Sequence, residues 1–374
     1  MQHSTARIYS LDALRAVMML LGIVLHSAEP YSVGSGGLWP KDPYATSSFF
    51  NYLTSLIHLF RMPVFFMMSG FFGAMLFYRR GMIKMIRQRI KRIVLPFVAS
   101  MILLHPLIYY AYDSMAKSFG WDHSVIGAFT WLPSITYRLW FLYYLIWITS
   151  ITVVLAATLQ KSKRLKQKIG NSFLWFFRKQ WLYMLTTSIL LFLLLVWMWE
   201  YWASTPLGFE PDAKIMVFYL LFYLIGWLIY ARQETLRILK KNGVIYALVG
   251  FLAYTLKFIF RSSLGDVAYG GLNTIIGCLL IFGITGLFLK HFETHSKRWR
   301  YASEASYWVY LIHLPITLLI PTFIVEWPVP SGMKFSTTLV MTTFCSFITY
   351  HYLVRWTFIG AFLNGRKYTL ISKD

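Results

Sequence analysis

Three polar side chains share one face of the first apolar segment, LDALRAVMMLLGIVLHSA. Asp12 and Arg15 are three residues apart, and His26 follows eleven residues after Arg15. Because eleven helical steps of about 100° return to nearly the same direction, His26 lies about 16 Å above Arg15 on that face. A neutral imidazole can take a proton near pH 7, so His26 is the candidate base, and Arg15 and Asp12 belong to the same catalytic group. The alternative is an ion pair between Asp12 and Arg15 at one membrane edge, with His26 as an interfacial residue.

The second apolar segment, HLFRMPVFFMMSGFF, carries His58 and Arg61 one helical turn apart. Arg61 is too far from the start of the segment to reach the membrane surface, so it either pairs structurally or binds an anion. The anion would be a developing oxyanion or a substrate carboxylate. We predict that Arg61 and His58 bind substrate. Ser69, further along the same segment, is another candidate for substrate binding, and no base is paired with it in the sequence.

Two other positions carry candidate functional residues. Arg89 and Arg92 are three residues apart ahead of VLPF, and a pair of guanidinium groups on one helix face suits phosphate oxygens. The alternative is that both only contribute positive charge at a membrane edge. His313, in SYWVYLIHLP, is counted with the substrate-binding candidates, and its alternative is a buried histidine with a structural hydrogen bond. The patterns assign no role to His351.

The composition shows what kind of element must hold these residues. The chain has 374 residues, of which 57% are hydrophobic and only 13% are charged, with a mean hydropathy of +0.55. Soluble domains have about 25% charged residues, so the chain is predicted to be an integral membrane protein. No secretory signal peptide is apparent. Cys278 and Cys345 lie in apolar runs and form neither a disulfide framework nor a metal motif, and no cofactor or metal is predicted.

The apolar runs predict an all-α fold of about ten transmembrane helices in one domain, 1–374. Basic residues fill alternate connections, which is the positive-inside pattern and places both termini in the cytoplasm. The net charge of +22 is therefore no sign of nucleic-acid binding. The predicted spans are 10–28, 50–78, 90–112, 138–159, 180–202, 214–231, 244–261, 269–290, 305–325 and 335–362.

These motifs together resemble the membrane-bound acyltransferase 3 family. The Arg15 to His26 spacing matches that family's Arg/Lys-ten-residues-His motif, with Asp12 in its usual companion place. The run VFFMMSGFF resembles the family's FF-x-x-SGF block, RIKR from Arg89 to Arg92 matches its RxxR, and LWFL and SYWVYLIHLP resemble later blocks. The similarity covers nearly the whole chain. One departure is Glu304, which stands ahead of SYWVYLIH where many members have Gly and a basic residue, and its role is open.

The resemblance implies transfer of an acyl group from cytoplasmic acyl-CoA, the co-substrate, to a sugar hydroxyl outside. Arg89 and Arg92 would bind the CoA phosphates. The closest resemblance is to a type understood to succinylate osmoregulated periplasmic glucans at the bacterial inner membrane, and Arg61 would then meet the succinyl carboxylate. The alternatives are an acetyltransferase of another envelope glycan and a transporter of a polar solute, because a polar file in a membrane helix suits passage as well. The sequence leaves open whether the protein forms a homo-oligomer.

Overall fold

The structure is a computed structural model that describes residues 9–34, 39–122 and 127–364. It is an α-helical fold, with no strand in those ranges. Short 3-10 turns lie at Glu29–Tyr31, Tyr137–Leu139 and Arg261–Ser263. The helices are α1 Tyr9–Ala28, α2 Ser48–Arg80, α3 Met82–Arg89, α4 Leu95–Phe119, α5 Trp140–Gln160, α6 Lys163–Arg178, α7 Gln180–Met198, α8 Ala213–Ala231, α9 Glu234–Ile259, α10 Asp266–His291, α11 Lys297–Ile324, α12 Ser331–Thr349 and α13 Phe358–Asn364.

Nine helical stretches in the described part of the chain are long and apolar enough to cross a membrane. The protein is therefore an all-α, multi-pass membrane protein, as the sequence predicts. The structure differs from the prediction at the tenth span. The expected tenth span at 335–362 corresponds to α12, which is rich in serine and threonine and is not among those nine. The helix passes through a π turn at Tyr350–Val354 and then ends before α13, so the prediction of one span to residue 362 is wrong.

Two basic regions expected as loops are helical. The third span begins at Met82 and continues through α3, a π turn at Ile90–Val94 and α4. Arg89 lies at the end of α3 and Arg92 in the π turn, so both belong to one continuous helix. The basic segment after α5 forms α6, most of which is exposed and of which Gly170 and Phe177 are buried.

The two ends of the bundle are distinguished by their charge. At one end, Arg178 pairs with Glu234 and Lys166 lies over the ring of Tyr78. We call this the basic end, and it gathers the connections that follow α2, α5, α8 and α10. The connections that follow α1, α4, α7, α9 and α11 lie at the opposite end.

Close helix packing fixes α2, which carries several candidate residues. A Cβ atom at Gly70 would lie 1.9 Å from the carbonyl oxygen of Tyr223, and one at Gly226 would lie 1.7 Å from that of Met67. Any side chain larger than hydrogen is therefore excluded where α2 crosses α8. Small residues allow membrane helices to approach at backbone distance. This crossing therefore fixes the position of α2 along α8.

Candidate functional site

A buried cavity near the opposite end brings together four of the predicted residues, His26, His58, Arg61 and His313. Its walls come from α1, α2, α5, α8 and α11, and the space between them is about 610 Å³. We call it the histidine cavity, and its polar lining includes His26, His58, Arg61, Arg138 and His313.

His26 lies between two other rings in this cavity. The Trp39 ring stacks on one side with its centroid 5.4 Å away, and the His313 ring stacks on the other at 5.3 Å. The side chain is only 3% exposed. Its Nδ1 atom has no hydrogen-bond partner among the described residues. His26 is therefore held by stacking, and a ring nitrogen is left for a ligand.

His313 is held in a defined tautomer by the backbone of its own helix. Its Nδ1 atom lies 2.8 Å from the carbonyl oxygen of Tyr310 and 3.1 Å from that of Val309. Carbonyl oxygens only accept, so Nδ1 must carry the proton. The other nitrogen, Nε2, is then an acceptor in the neutral ring. It is buried and has no partner in the described structure.

Arg61 also presents an unpartnered atom to the cavity. Its Nη2 atom lies 3.7 Å from the sulfur of Met62, a weak acceptor, and its buried Nη1 atom has no hydrogen-bond partner among the described residues. His58 does not pair with Arg61, because its Nε2 atom lies 3.6 Å from the carboxylate of Glu29. Arg138 completes the cationic lining, with its guanidinium 5.3 Å from the centre of the Trp39 ring.

The connection after α1 contacts two residues of this site, because Trp39 stacks on His26 and Glu29 lies 3.6 Å from His58. Neither Trp39 nor Glu29 is among the residues predicted from the sequence. Lys41 donates to the carbonyl oxygen of Glu29 at 2.8 Å and to Ser32 Oγ at 2.7 Å, and burial lowers the pKa of the Lys41 ammonium. The signal in the sequence was an acidic residue directly after the first span, but its partners depend on loop geometry. Glu29, Lys41 and Trp39 are therefore additions to the predicted residues.

A buried ion pair fastens the same connection to the far end of the chain. Lys334 lies 2.9 Å from Asp42, and both side chains are essentially unexposed. Lys334 also donates to the carbonyl oxygen of Val325, while Asp42 accepts from the backbone amides of Tyr44 and Ala45. Both charged side chains of this ion pair have hydrogen-bond partners. The pair therefore holds the segment that carries Trp39 in place beside the histidine cavity.

A second, larger cavity opens near the basic end. The space between its walls, including the part open to solvent, is about 1530 Å³. Four arginines and one carboxylate line it, and we call it the arginine cavity. Arg89 donates to the carbonyl oxygen of Ser69 at 3.1 Å, and Arg92 donates to that of Leu363 at 2.9 Å. The charged residues of this cavity are Arg15, Arg80, Arg89, Arg92 and Glu304. This arrangement suits a ligand with several phosphate oxygens.

The predicted catalytic group is divided between the two cavities. Arg15 lines the arginine cavity, where it donates to Ser303 Oγ at 2.8 Å and lies 3.7 Å from Asp12. His26 lines the histidine cavity, and Asp12 lines neither. Ser69 also lies in the arginine cavity, away from the histidines. Sharing a helix face did not bring Arg15 to His26, because 16 Å is longer than either side chain can bridge.

Three apolar side chains separate the cavities. Met19 of α1, Phe65 of α2 and Phe141 of α5 line both spaces, and we call them the partition. The two phenylalanine rings lie 5.3 Å apart, centroid to centroid. The histidine cavity and the arginine cavity, here called the two chambers, therefore lie back to back on either side of the partition. His351 lines neither chamber and contacts the Tyr301 hydroxyl at 3.3 Å.

Comparison with known proteins identifies the family. The profile of a family described as an acyltransferase domain matches residues 8–351. The chain belongs to this family. Curated relatives include the glucans biosynthesis protein C of Salmonella schwarzengrund (strain CVM19633), 24% identical over 96% of this chain and 95% of that protein. The protein of the same name from Escherichia coli O17:K52:H18 (strain UMN026 / ExPEC) is 24% identical over 98% of this chain and 97% of its own length. No solved structure matches the chain.

Proposed function

We propose that this protein transfers an acyl group from acyl-CoA, bound at the basic end, to a hydroxyl of a glucan at the opposite end. The observation that carries this proposal is the pair of cavities that share the partition. One is rich in arginine and suits the phosphates of CoA. The other is rich in histidine and suits proton removal from a hydroxyl. An acyl group at the partition would be within reach of both.

The distribution of basic residues indicates which end of the bundle faces the cytoplasm. Basic connections face the cytoplasm in membrane proteins, where acyl-CoA is made, so we propose that the basic end is cytoplasmic and that both termini lie there. The bacterial sources of the relatives support the inner membrane as the location. The glucan acceptor is proposed from their printed name. A single domain, 1–374, performs the whole transfer in this proposal.

We propose succinyl as the acyl group, with acetyl as the alternative. Its free carboxylate would enter a buried space and would need cations there. Arg61 and Arg138 both line the histidine cavity, which supports an anionic acyl group. One of the cavity's imidazoles takes the proton of the acceptor hydroxyl. His26, the base predicted from sequence, and His313 are both available, and the function requires only one of them. Arg15 lies at the arginine cavity, where we propose that it orients the donor.

The partition favours acyl transfer over passage of a polar solute, because Met19, Phe65 and Phe141 put apolar side chains between the two cavities. The methylene groups of the acyl chain would pack against these side chains, while the carboxylate of a succinyl group would meet Arg61 or Arg138.

The test uses the full-length protein purified into nanodiscs. Succinyl-CoA or acetyl-CoA is added with neutral glucans, and release of free CoA thiol and ester mass on the glucan are measured together. The double variant His26→Gln/His313→Gln should lower transfer by about 10²–10⁴-fold. His291→Gln, on an exposed histidine of α10, is the matched control and should keep the wild-type rate. If the folded wild-type protein consumes no acyl-CoA with any glucan, the proposal is wrong.

A further inference from the structure

Helix α6 is joined closely to two helices that can cross the membrane, but it is too short to cross by itself. Lys161 and Ser162 connect it to α5, and Lys179 connects it to α7. Both neighbours are long and apolar enough to span a membrane. The 16 residues of α6 extend about 24 Å, less than the thickness of a hydrocarbon core, and both of its ends lie where a span ends or begins. The helix must therefore lie along the membrane surface at the basic end.

Three positions fix the side of α6 that faces the rest of the protein. A Cβ atom at Gly170 would lie 2.9 Å from the Arg232 guanidinium, so the helix approaches the end of α8 closely at this point. The ammonium of Lys166 lies 4.2 Å from the centre of the Tyr78 ring of α2, and Phe177 is buried. These three positions of α6 lie within about 40° of one another around the helix axis, so they define one inward face.

A second apolar face of α6 remains exposed. Leu165 and Phe176 are eleven residues apart, so they point in nearly the same direction, and they are 45% and 38% exposed. Their direction is about 100° around the helix from the inward face. We call these two residues the exposed stripe. The apolar part of α6 is therefore wider than the part that the protein covers.

The side of α6 beyond the exposed stripe is basic. Arg164 and Lys168 are one turn apart, are both exposed, and lie next to the stripe on the side away from the inward face. The segment 161–179 carries seven lysines and arginines and no acidic residue. Trp175 is exposed on the same side, and tryptophan is typical of the boundary between membrane and water. Around the helix, protein contacts are thus followed by an apolar stripe and then by positive charge.

We propose that α6 is an interfacial helix that binds anionic lipids of the leaflet at the basic end. Leu165 and Phe176 insert among the acyl chains, and Arg164 and Lys168 donate to phosphate oxygens of the headgroups. The partner is lipid because the connections to α5 and α7 hold the helix at the membrane surface. The positive charge of the segment favours lipids with a net negative charge. None of these side chains lines either chamber, so this inference is independent of the proposed function.

Spin labels on α6 test its depth in the membrane. Leu165→Cys, Phe176→Cys and Gln167→Cys are each made in a Cys278→Ser/Cys345→Ser background, labelled with a nitroxide and placed in nanodiscs that contain phosphatidylglycerol. Collision rates with oxygen, which concentrates among acyl chains, and with a water-soluble nickel chelate report the depth of each label. The labels in place of Leu165 and Phe176 should lie about 5–10 Å below the headgroups. Gln167 is exposed on the opposite side of the helix, so its label is the matched control and should lie in water.

Two outcomes of this experiment would overturn the proposal. If the labels in place of Leu165 and Phe176 collide with the nickel chelate as often as the label in place of Gln167, the stripe faces water. If they are shielded from both reagents, another protein segment or a second copy of the chain covers the stripe instead of lipid. Size-exclusion profiles of each labelled variant report whether the fold is kept.

A lipid titration tests the basic side of α6. Phosphatidylglycerol or phosphatidylcholine is added to the full-length protein in detergent, and bound lipid is counted by native mass spectrometry. Arg164→Gln/Lys168→Gln should lower the apparent affinity for phosphatidylglycerol about tenfold or more and leave that for phosphatidylcholine nearly unchanged. Arg237→Gln/Lys241→Gln removes the same charge from exposed positions of α9 at the same end and is the matched control. Equal losses in the two double variants, or no loss in the first, would overturn the assignment of the lipid site to α6.

Discussion

The rings of Phe65 and Phe141 lie 5.3 Å apart and each borders both chambers of the molecule. They come from α2 and α5, so the divider between the chambers is built across a helix interface. An acyl group that moves from the basic end to the histidines has to pass beside these two rings and Met19. These three side chains are therefore expected to limit the size of the acyl group that the protein accepts.

Phe141→Leu should widen the range of donors. The smaller side chain leaves room beside Phe65, so transfer from a six-carbon acyl-CoA should rise about tenfold relative to transfer from acetyl-CoA. Rates with a series of acyl-CoA chain lengths measure this ratio. Phe72→Leu is the matched control, because Phe72 lines only the arginine cavity. An unchanged length profile would mean that the acyl group takes a different route.

Arg89→Gln/Arg92→Gln should weaken donor binding. Both guanidinium groups line the arginine cavity, and their loss removes charge that would bind phosphates. The KM for acyl-CoA should rise about tenfold while the KM for the glucan stays the same. Added salt should mimic part of this effect in the wild-type protein, because it screens exposed charges. Arg87→Gln, an exposed arginine outside the cavity, serves as the control. A change in acceptor affinity alone would contradict the assignment of the chambers.

Arg61 and Arg138 should differ in their effect on acyl selectivity. If Arg61 binds the oxyanion, Arg61→Met should abolish both succinyl and acetyl transfer. Arg138→Gln should lower succinyl transfer about tenfold or more and leave acetyl transfer nearly unchanged, because only succinyl carries a carboxylate. Competition between succinyl-CoA and acetyl-CoA in one reaction measures the ratio. Retained acetyl transfer in Arg61→Met would instead make Arg61 the carboxylate site.

Asp42→Asn should destabilise the protein. It leaves the ammonium of Lys334 buried without its counter-charge, which typically costs about 3–5 kcal/mol. The thermal midpoint should fall clearly, and the double variant Asp42→Leu/Lys334→Met should recover most of it. Asp113→Asn affects the more exposed pair with Lys117 and should leave the thermal midpoint nearly unchanged. A midpoint in Asp42→Asn equal to that of the control would contradict this account.

A reporter at Thr46 should face the periplasm and one at Lys166 the cytoplasm. The two positions lie at opposite ends of the bundle, and the basic end is proposed to be cytoplasmic. Accessibility of single cysteines to a membrane-impermeant thiol reagent in whole cells measures this. Labelling of both positions from the same side would contradict the proposed topology.

Local patterns predicted most of the helices and several residues of the site. Helical periodicity depends on neighbours in sequence, so the apolar spans and the positions of His26, Arg61 and His313 within them could be read directly. The pairing of Asp42 with Lys334 could not be predicted in this way, because 292 positions separate the two residues in sequence. The separation of Arg15 from His26 depends on Met19 and two phenylalanines from other helices. The tautomer of His313 depends on backbone atoms, which no residue pattern reports.

The glycine crossing of α2 and α8 has a consequence for how the chambers can communicate. With Gly70 and Gly226 each against a carbonyl of the other helix, these two helices have no free space in which to slide or rotate. We therefore expect α2 and α8 to stay fixed relative to each other. Phe65 of α2 can then move only by rotation about its own side-chain torsions. Phe141 comes from α5, outside this crossing, so we expect any opening of the partition to involve Phe141 and not the backbone of α2.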